Sequence, residues 1–273
     1  MCIMKDPKIH PTAIIESGAI LGSNVTVGAY AIIENGAKIG NDCLIQSHAV
    51  IKKYGVVGDN AEVGHFAVIG GDPQHGSFDR SIPSSVNIGS GTRIGEGVTV
   101  HRSIQKDGDT RVGENCFLMG YSHVAHDCIL ESNVVLANGV LLGGHINIGK
   151  DSFLGGAAAV HQFVRIGQGS MIGGLSEISV DVPPQVLVSG RNSISGLNLI
   201  GLKRRGVSRE EVVELKQCFR DVCGNLNPKK NAESILNSVE CPKFKITQDF
   251  LKFFSDGKRG FAKYKNKDRN SGG

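Results

Sequence analysis

An all-β left-handed parallel β-helix with a C-terminal α-helical domain is the fold class this sequence predicts. Three observations carry it: a six-residue repeat of branched aliphatic residues, 37 glycines beside only 5% aromatic residues and no tryptophan, and helical periodicity after residue 199. Stepping by six from Ile9 gives Ile15, Leu21, Val27 and onward to Ile69 without a miss. The series resumes at Ile88 and runs to Ile178, broken only at position 106. A period of six matches neither an α-helix at about 3.6 residues per turn nor a lone strand at about two. It matches a solenoid in which each hexad is a short strand plus a corner. Three hexads then close one triangular coil, with the aliphatic side chain filling the interior. The 26 positions in register are too many for a sandwich with fortuitous spacing. A narrow interior filled with Val, Ile, Leu and Ala also accounts for the scarcity of large rings.

The β-helix is expected over residues 1–198, with loops leaving it where the register slips. One lies near 72–85 and a shorter one near 105–109, within Gln105-Lys-Asp-Gly-Asp-Thr110. Loops on a rigid scaffold often hold binding residues. The ladder is expected to stop at Asp181-Val-Pro-Pro184, because proline brings no N–H. Beyond Leu199 the pattern is helical, and Ser208-Arg-Glu-Glu211 reads as a capping box ahead of Val212, Val213, Leu215 and Phe219. Two more short helices are expected over 231–239 and 247–254. This helical domain spans 199–262, and the polar, basic 263–273 reads as a frayed tail.

No apolar run approaches the length of a membrane span, and the first residues lack the features of a signal peptide. A cytoplasmic protein without a membrane span is expected. The seven cysteines are odd in number, scattered, and contain no CxxC pair. They suit buried small apolar positions better than a disulfide framework or a zinc knuckle. The net charge of +4 is uneven: residues 1–198 hold 13 Lys/Arg against 17 Asp/Glu, and residues 199–273 hold 17 against 9. A basic C-terminal region on a mildly acidic body fits an anionic partner.

All nine histidines lie between His10 and His161. With three hexads per coil, residues 18 apart stack about 4.8 Å apart. The hexads beginning at Val124, Leu142 and Val160 therefore share one face, and they carry His126, His145 and His161. His123 ends the preceding hexad and is expected at the corner leading to that face. A lone histidine on a solenoid is a satisfied surface residue more often than a catalyst, but four on one stripe point to a site. Three chemistries could use them: a general base oriented by a carboxylate, for which Asp127 is the candidate; a zinc site of three imidazoles; or stacking at a subunit interface. Cys128 occupies an inward-pointing small-residue slot and reads as core.

The segments Ser122-His-Val-Ala-His-Asp-Cys128, Leu142-Gly-Gly-His145, Ala159-Val-His-Gln-Phe163, Asp181-Val-Pro-Pro184 and Gly201-Leu-Lys-Arg-Arg-Gly206 follow one another in order. Together they resemble the UDP-N-acetylglucosamine O-acyltransferases of lipid A biosynthesis, over nearly the whole chain. That resemblance implies transfer of an (R)-3-hydroxyacyl chain from acyl carrier protein to the 3-position of UDP-N-acetylglucosamine, with neither cofactor nor metal. It implies His126 as general base, Asp127 as its orienting carboxylate, and the Gly144 N–H as oxyanion donor. Gln74, His75, His123, His145, His161 and Gln162 would line the sugar and acyl sites. Asn198 with Arg204 and Arg205 would contact the nucleotide, and Met171, Gly173 and Gly174 fall in the region that limits acyl length. The resemblance further implies a homotrimer, and an acidic carrier protein that would explain the basic C-terminal region. No nucleic-acid partner is implied.

The sequence departs from the family pattern on the acceptor side. Members read Pro-Gln-Asp-x-Lys in the first loop, whereas this chain reads Pro73-Gln74-His75-Gly76-Ser77. Ile200 stands where an acidic residue is usual, and Arg191 where asparagine is usual. One alternative is therefore the same chemistry on a UDP-3-amino sugar, forming an amide. Further alternatives are a carbonic-anhydrase-type metalloenzyme and a non-catalytic scaffold. The related N-acyltransferase, which carries an extra N-terminal domain, fits less well with a repeat that begins by Ile9.

Overall fold

The computed structural model describes residues 6–239 and 241–264. Among the described residues the coil builds three sheets of 12, nine and eight strands, most strands being two residues long. Pairing is parallel except for one antiparallel pair at the C-terminal end of the 12-stranded sheet. Strands Lys8–Ile9, Ile14–Ile15 and Ile20–Leu21 begin the first, second and third sheet, and the chain visits them in rotation. Pairing runs at an interval of 18, as in Ile9↔Val27, Ile15↔Ile33 and Leu21↔Ile39. The coil is thus a parallel β-helix of hexapeptide repeats. From Val27 to Ile178 the periodic aliphatic residues are at most 4% exposed and form one continuous core. Two loops leave the coil, residues 72–84 between strands Val68–Gly71 and Ser85–Ile88, and 102–108 between Thr99–His101 and Asp109–Val112, the second starting three residues before the expected 105. They stretch the pairing interval to 31 at Val63↔Ile94 and 24 at Val100↔Val124.

Most corners turn through a residue at positive φ, and the three columns of corners solve this differently. After the third sheet the column is Asn24, Asp42, Asn60, Asn115, Asn133 and Asp151, residues whose short polar side chains tolerate the left-handed region. After the first sheet it is Tyr30, His48, Phe66, Tyr121, Ala157 and Leu175. After the second it holds Asp127, His145 and Phe163.

The ladder does not stop at the two prolines. Val182 bridges to Ile166, and Val186–Ser189 pairs parallel with Met171–Ile172 before turning back onto Ser193–Leu197. Pro183 and Pro184 occupy a corner, where no N–H is required, and Pro184 packs where a Cβ on Gly167 would lie. Four helices follow: α1 (Leu199–Arg204), α2 (Arg209–Cys223), α3 (Pro228–Leu236) and α4 (Lys245–Lys252). The Ser208–Glu211 capping box opens α2 as expected. Helix α3 starts before the expected 231, because Asn227 caps it and Pro228 suits its first turn. Helix α4 likewise runs from 245 to 252 rather than 247 to 254. Phe219, Phe250, Phe254 and Phe261 pack the helices together through ring contacts, continuous with the core of the coil. Lys263 and Tyr264, expected in a frayed tail, form a strand paired with Ser193–Leu197, and Tyr264 packs edge-on against Phe219. The rest of that tail, 265–273, lies outside the described residues, as does Cys2. Among the described residues no helix is long and apolar enough to cross a membrane. No cysteine among them is paired, and Cys43, Cys116, Cys128 and Cys218 are buried, whereas Cys241 is exposed.

Candidate active site

The corner after the second sheet stacks three dipeptides 18 residues apart: His126-Asp127, Gly144-His145 and Gln162-Phe163. The histidine stripe therefore lies along an edge of the coil rather than on a flat face. Positive φ at Asp127 turns its carboxylate back onto its own neighbour, and His126 Nδ1 lies 2.7 Å from Asp127 Oδ2. The carboxylate that the sequence offered as the orienting partner thus meets His126 within the same chain. Ser103 Oγ donates to Asp127 Oδ1, and the Ile104 N–H donates to Oδ2 at 3.2 Å. Burial works to raise the Asp127 pKa. The hydrogen bonds from His126, Ser103 and Ile104, with the His145 ring nearby, outweigh it and hold the carboxyl below its ordinary value. An ionised carboxylate at Nδ1 keeps the proton there and leaves Nε2 of His126 as an acceptor. His126 is 8% exposed. Its ring rests against Gly144, where an added Cβ would come 2.5 Å from Cε1. The Gly144 N–H makes no hydrogen bond within the described residues.

His145 stacks on Phe163 at 4.6 Å and meets His126 edge-on at 5.0 Å. Burial lowers its pKa, Asp127 opposing and His126 reinforcing. His123 is not at a corner: it begins strand His123–Val124, with Nδ1 2.7 Å from Thr99 Oγ1. Burial, then His126, push its pKa down. Sequence reasoning missed His101, which packs edge-on to His123 at 4.7 Å and is 8% exposed with its Nδ1 unpartnered. Burial first, then His123 and His126, bring it down to about 4, against the pull of Asp72. The signal was present, since His101 follows Val100 of the repeat, but the inserted loop hid which later residue it stacks on. His161 stands apart, exposed, with Arg259 of the C-terminal domain donating to its Nδ1, and Gln162 is exposed beside it.

The remaining expected residues fall elsewhere. Met171, Asn198, Arg204 and Arg205 line a groove of about 710 Å³ between the first sheet and α1, with Ile200 on its wall. Asn198 caps α1 through Oδ1 and donates from Nδ2 to Gly169 O, so its side chain is already engaged. Arg205 donates to the buried Gln185, and burial lowers its pKa, Asp151 opposing. Gly173 and Gly174 lie in the corner after Met171, Gly174 seated against the Gly156 backbone. Gln74 and His75 are exposed on the 72–84 loop, where Ser77 Oγ lies 3.3 Å from His75 Nδ1. Two departures from the family pattern thus contact each other, while Arg191 pairs with Glu177 at 3.2 Å.

His126, Asp127 and His145 offer donor atoms within 4.8 Å of one another, the one such cluster among the described residues. The three-imidazole zinc site is not formed within the chain, because His161 turns to Arg259 instead. In the cluster itself, His126 Nδ1 is bound to Asp127, and Asp127 is bound to Ser103 and Ile104. That is the pattern of an oriented base. Cys128 is fully buried, its thiol held to Gly143 O at 3.0 Å and pushed up to about 12 by burial, so it is core as expected.

Residues 181–262 match the family described as Udp N-acetylglucosamine O-acyltransferase, domain 2, and residues 18–53 and 109–144 match the bacterial transferase hexapeptide repeats. The acyl-[acyl-carrier-protein]–UDP-N-acetylglucosamine O-acyltransferase of Campylobacter lari is 41% identical over 263 residues, 96% of this chain and 98% of that one. The solved UDP-N-acetylglucosamine acyltransferase from Campylobacter jejuni superposes with a TM-score of 0.88 at 39% identity, covering 94% of this chain and 100% of that one. That of Francisella novicida superposes at 0.90 with 30% identity, covering 96% and 95%. The chain belongs to the acyl-[acyl-carrier-protein]–UDP-N-acetylglucosamine O-acyltransferase family.

Proposed function

We propose that the His126 corner catalyses acyl transfer from acyl carrier protein to the 3-hydroxyl of UDP-N-acetylglucosamine, with His126 as general base. Membership of the family supports acyl transfer between these substrates in lipid A synthesis. The observation that carries the residue assignment is the 2.7 Å contact of His126 with a carboxylate that is itself held by Ser103 and Ile104. His126 Nε2 takes the proton of the sugar hydroxyl as its oxygen attacks the thioester carbonyl of a 3-hydroxyacyl chain. The carbonyl oxygen becomes an oxyanion facing the Gly144 N–H. Collapse of the tetrahedral intermediate breaks the C–S bond, and His126 returns its proton to the departing thiolate.

His126→Ala is expected to lower kcat by about 10²–10⁴-fold with the KM values little changed. Asp127→Asn should do the same to a smaller extent. Full activity in His126→Ala would favour a scaffold instead. The His75, Ser77 and Ile200 positions supply a reason to assay a UDP-3-amino sugar beside UDP-N-acetylglucosamine, and failure with both would overturn the assignment.

The coil is read as left-handed, the hand usual for hexapeptide repeats, and the working form as a cytoplasmic homotrimer. Two features support the trimer. Tyr30, Phe66, Tyr121 and Leu175 leave large apolar side chains exposed along one edge of the coil. The groove with Arg204 and Arg205 lies on the first sheet, whereas the His126 corner joins the second and third. One chain faces these two sets of residues in different directions, and a neighbouring copy would unite them. The excess of 17 Lys/Arg over 9 Asp/Glu in 199–273 suits docking of an acidic carrier protein.

A further inference from the structure

The loop 72–84 has 13 residues and no regular structure, yet it closes over a single buried charge on the coil. Arg102 follows the strand Thr99–His101, and its side chain is 3% exposed. Its Nε donates to Asp72 Oδ1 at 2.9 Å, at the root of the loop. One terminal nitrogen donates to Ile82 O at 2.5 Å and to Ser84 Oγ at 3.2 Å, and the other to Arg80 O at 2.9 Å. The guanidinium plane lies between two rings, Tyr54 of the coil at 5.0 Å and Phe78 of the loop at 4.8 Å. One side chain therefore grips the outgoing limb, the returning limb and the hydrophobic tip. Only a planar guanidinium offers that many donors in fixed directions, and the cost of burying it is offset only while all of them are met.

The loop's position gives this clamp a consequence. Gly71, its last strand residue, pairs with His101 and lies against the His101 ring, which packs on His123. Ser103, next to Arg102, holds Asp127, and Ser84 Oγ donates to Ser103 O at 2.6 Å. The two neighbouring residues thus reach in two directions, one to the loop and one to the catalytic dyad. We infer that Arg102 is the positioning residue of the acceptor side: it fixes loop 72–84, and with it Gln74 and His75, at the edge where the sugar nucleotide binds. This rests on the acyltransferase reading of the site.

The test compares Arg102→Met and Arg102→Lys with the wild-type full-length enzyme, using UDP-N-acetylglucosamine and an acyl-acyl carrier protein. Arg102→Met should raise the acceptor KM at least about tenfold while kcat and the donor KM stay within about threefold. Arg102→Lys, which keeps the charge but not the fork, should fall between the two. Trypsin cleavage after the exposed Arg80 should accelerate in parallel, by at least about tenfold in Arg102→Met, as the loop opens. An unchanged acceptor KM would overturn the inference, and so would a common loss of kcat and both affinities, which a merely structural residue produces. If Arg102→Met does not fold, Phe78→Ala removes one face of the clamp from the loop side and must shift the acceptor KM and the cleavage rate in the same directions. If the wild-type enzyme acylates neither sugar nucleotide, the functional reading is what fails, and unaltered cleavage after Arg80 in the variants then decides against the clamp.

Discussion

A methyl group at Gly144 would stand 2.5 Å from Cε1 and 2.7 Å from Nε2 of His126, distances that no packed side chain tolerates. Gly144→Ala is therefore expected to push the imidazole off its axis with Asp127 and to lower kcat by at least about 10²-fold, since misplacement of about 1 Å costs that much. The circular dichroism spectrum should stay unchanged, because the corner is held by flanking ladder bonds such as Gly143 N to Val160 O. His101 supplies a second prediction, in stability. Burial first, then the neighbouring His123 and His126, bring its pKa down from the ordinary 6.5 to about 4 in the native chain. Between those values the unfolded chain binds the proton and the native chain does not, so stability is full above pH 6.5 and declines as pH falls toward 4. The shift corresponds to about 3 kcal/mol. Denaturant unfolding at pH 7.5 and 5.0 should show that decline, and His101→Asn should flatten it. The sequence exposed His126, Asp127 and His145 because uninterrupted hexads fix their stacking, whereas Gly144 entered through the family resemblance alone. It concealed His101 because the second loop stretches the register there to 24 residues, so counting by 18 does not lead from His101 to its neighbour His123.

Corners, not strands, carry the individuality of this coil. From Thr26–Val27 to Glu177–Ile178 the two-residue strands do the same work, putting one aliphatic side chain inward and one residue outward. The corner residues at positive φ differ by column, and the Asn/Asp column also forms a hydrogen-bonded ladder, with Asn133 Nδ2 donating to Asp151 Oδ1 at 3.0 Å. Asn133→Ala should cost about 1 kcal/mol, because alanine meets the left-handed penalty with no compensating side-chain bond. Asn133→Gly should cost less, because glycine adopts φ 61 without strain and loses only the surface bond. Thermal melting of the two variants measures the difference, and equal destabilisation would assign the effect to the hydrogen bond alone. At this scale the repeat, both loops and the α2 capping box were legible, since each is a local pattern. The extra coil past Pro184 was not, because whether a proline falls on a strand or a corner depends on register, which a dipeptide does not reveal.

Over the whole molecule, the feature that sequence alone could not supply is that the expected site residues divide into two sets facing different ways. His126 and Asp127 occupy the corner between the second and third sheets, and Arg204 and Arg205 border a groove on the first. Sequence order places all of them in one chain; the triangular cross-section sets a corner against the opposite side. In a cyclic trimer each copy can present its corner to the groove of the next, through a head-to-tail contact that closes after three steps. That arrangement makes a quantitative prediction. His126→Ala chains lack the proposed base, and Arg204→Ala/Arg205→Ala chains lack the groove cations, so each variant alone should be inactive or nearly so. Co-refolded in equal amounts, the chains assort at random, and a site is intact where an arginine-variant corner meets a histidine-variant groove. One site in four meets that condition, so about a quarter of wild-type activity should return. If both sets acted within one chain, every site would carry one defect and mixing would restore nothing. Analytical ultracentrifugation of the mixture, showing trimers in both cases, would make the difference in activity attributable to where the site is built.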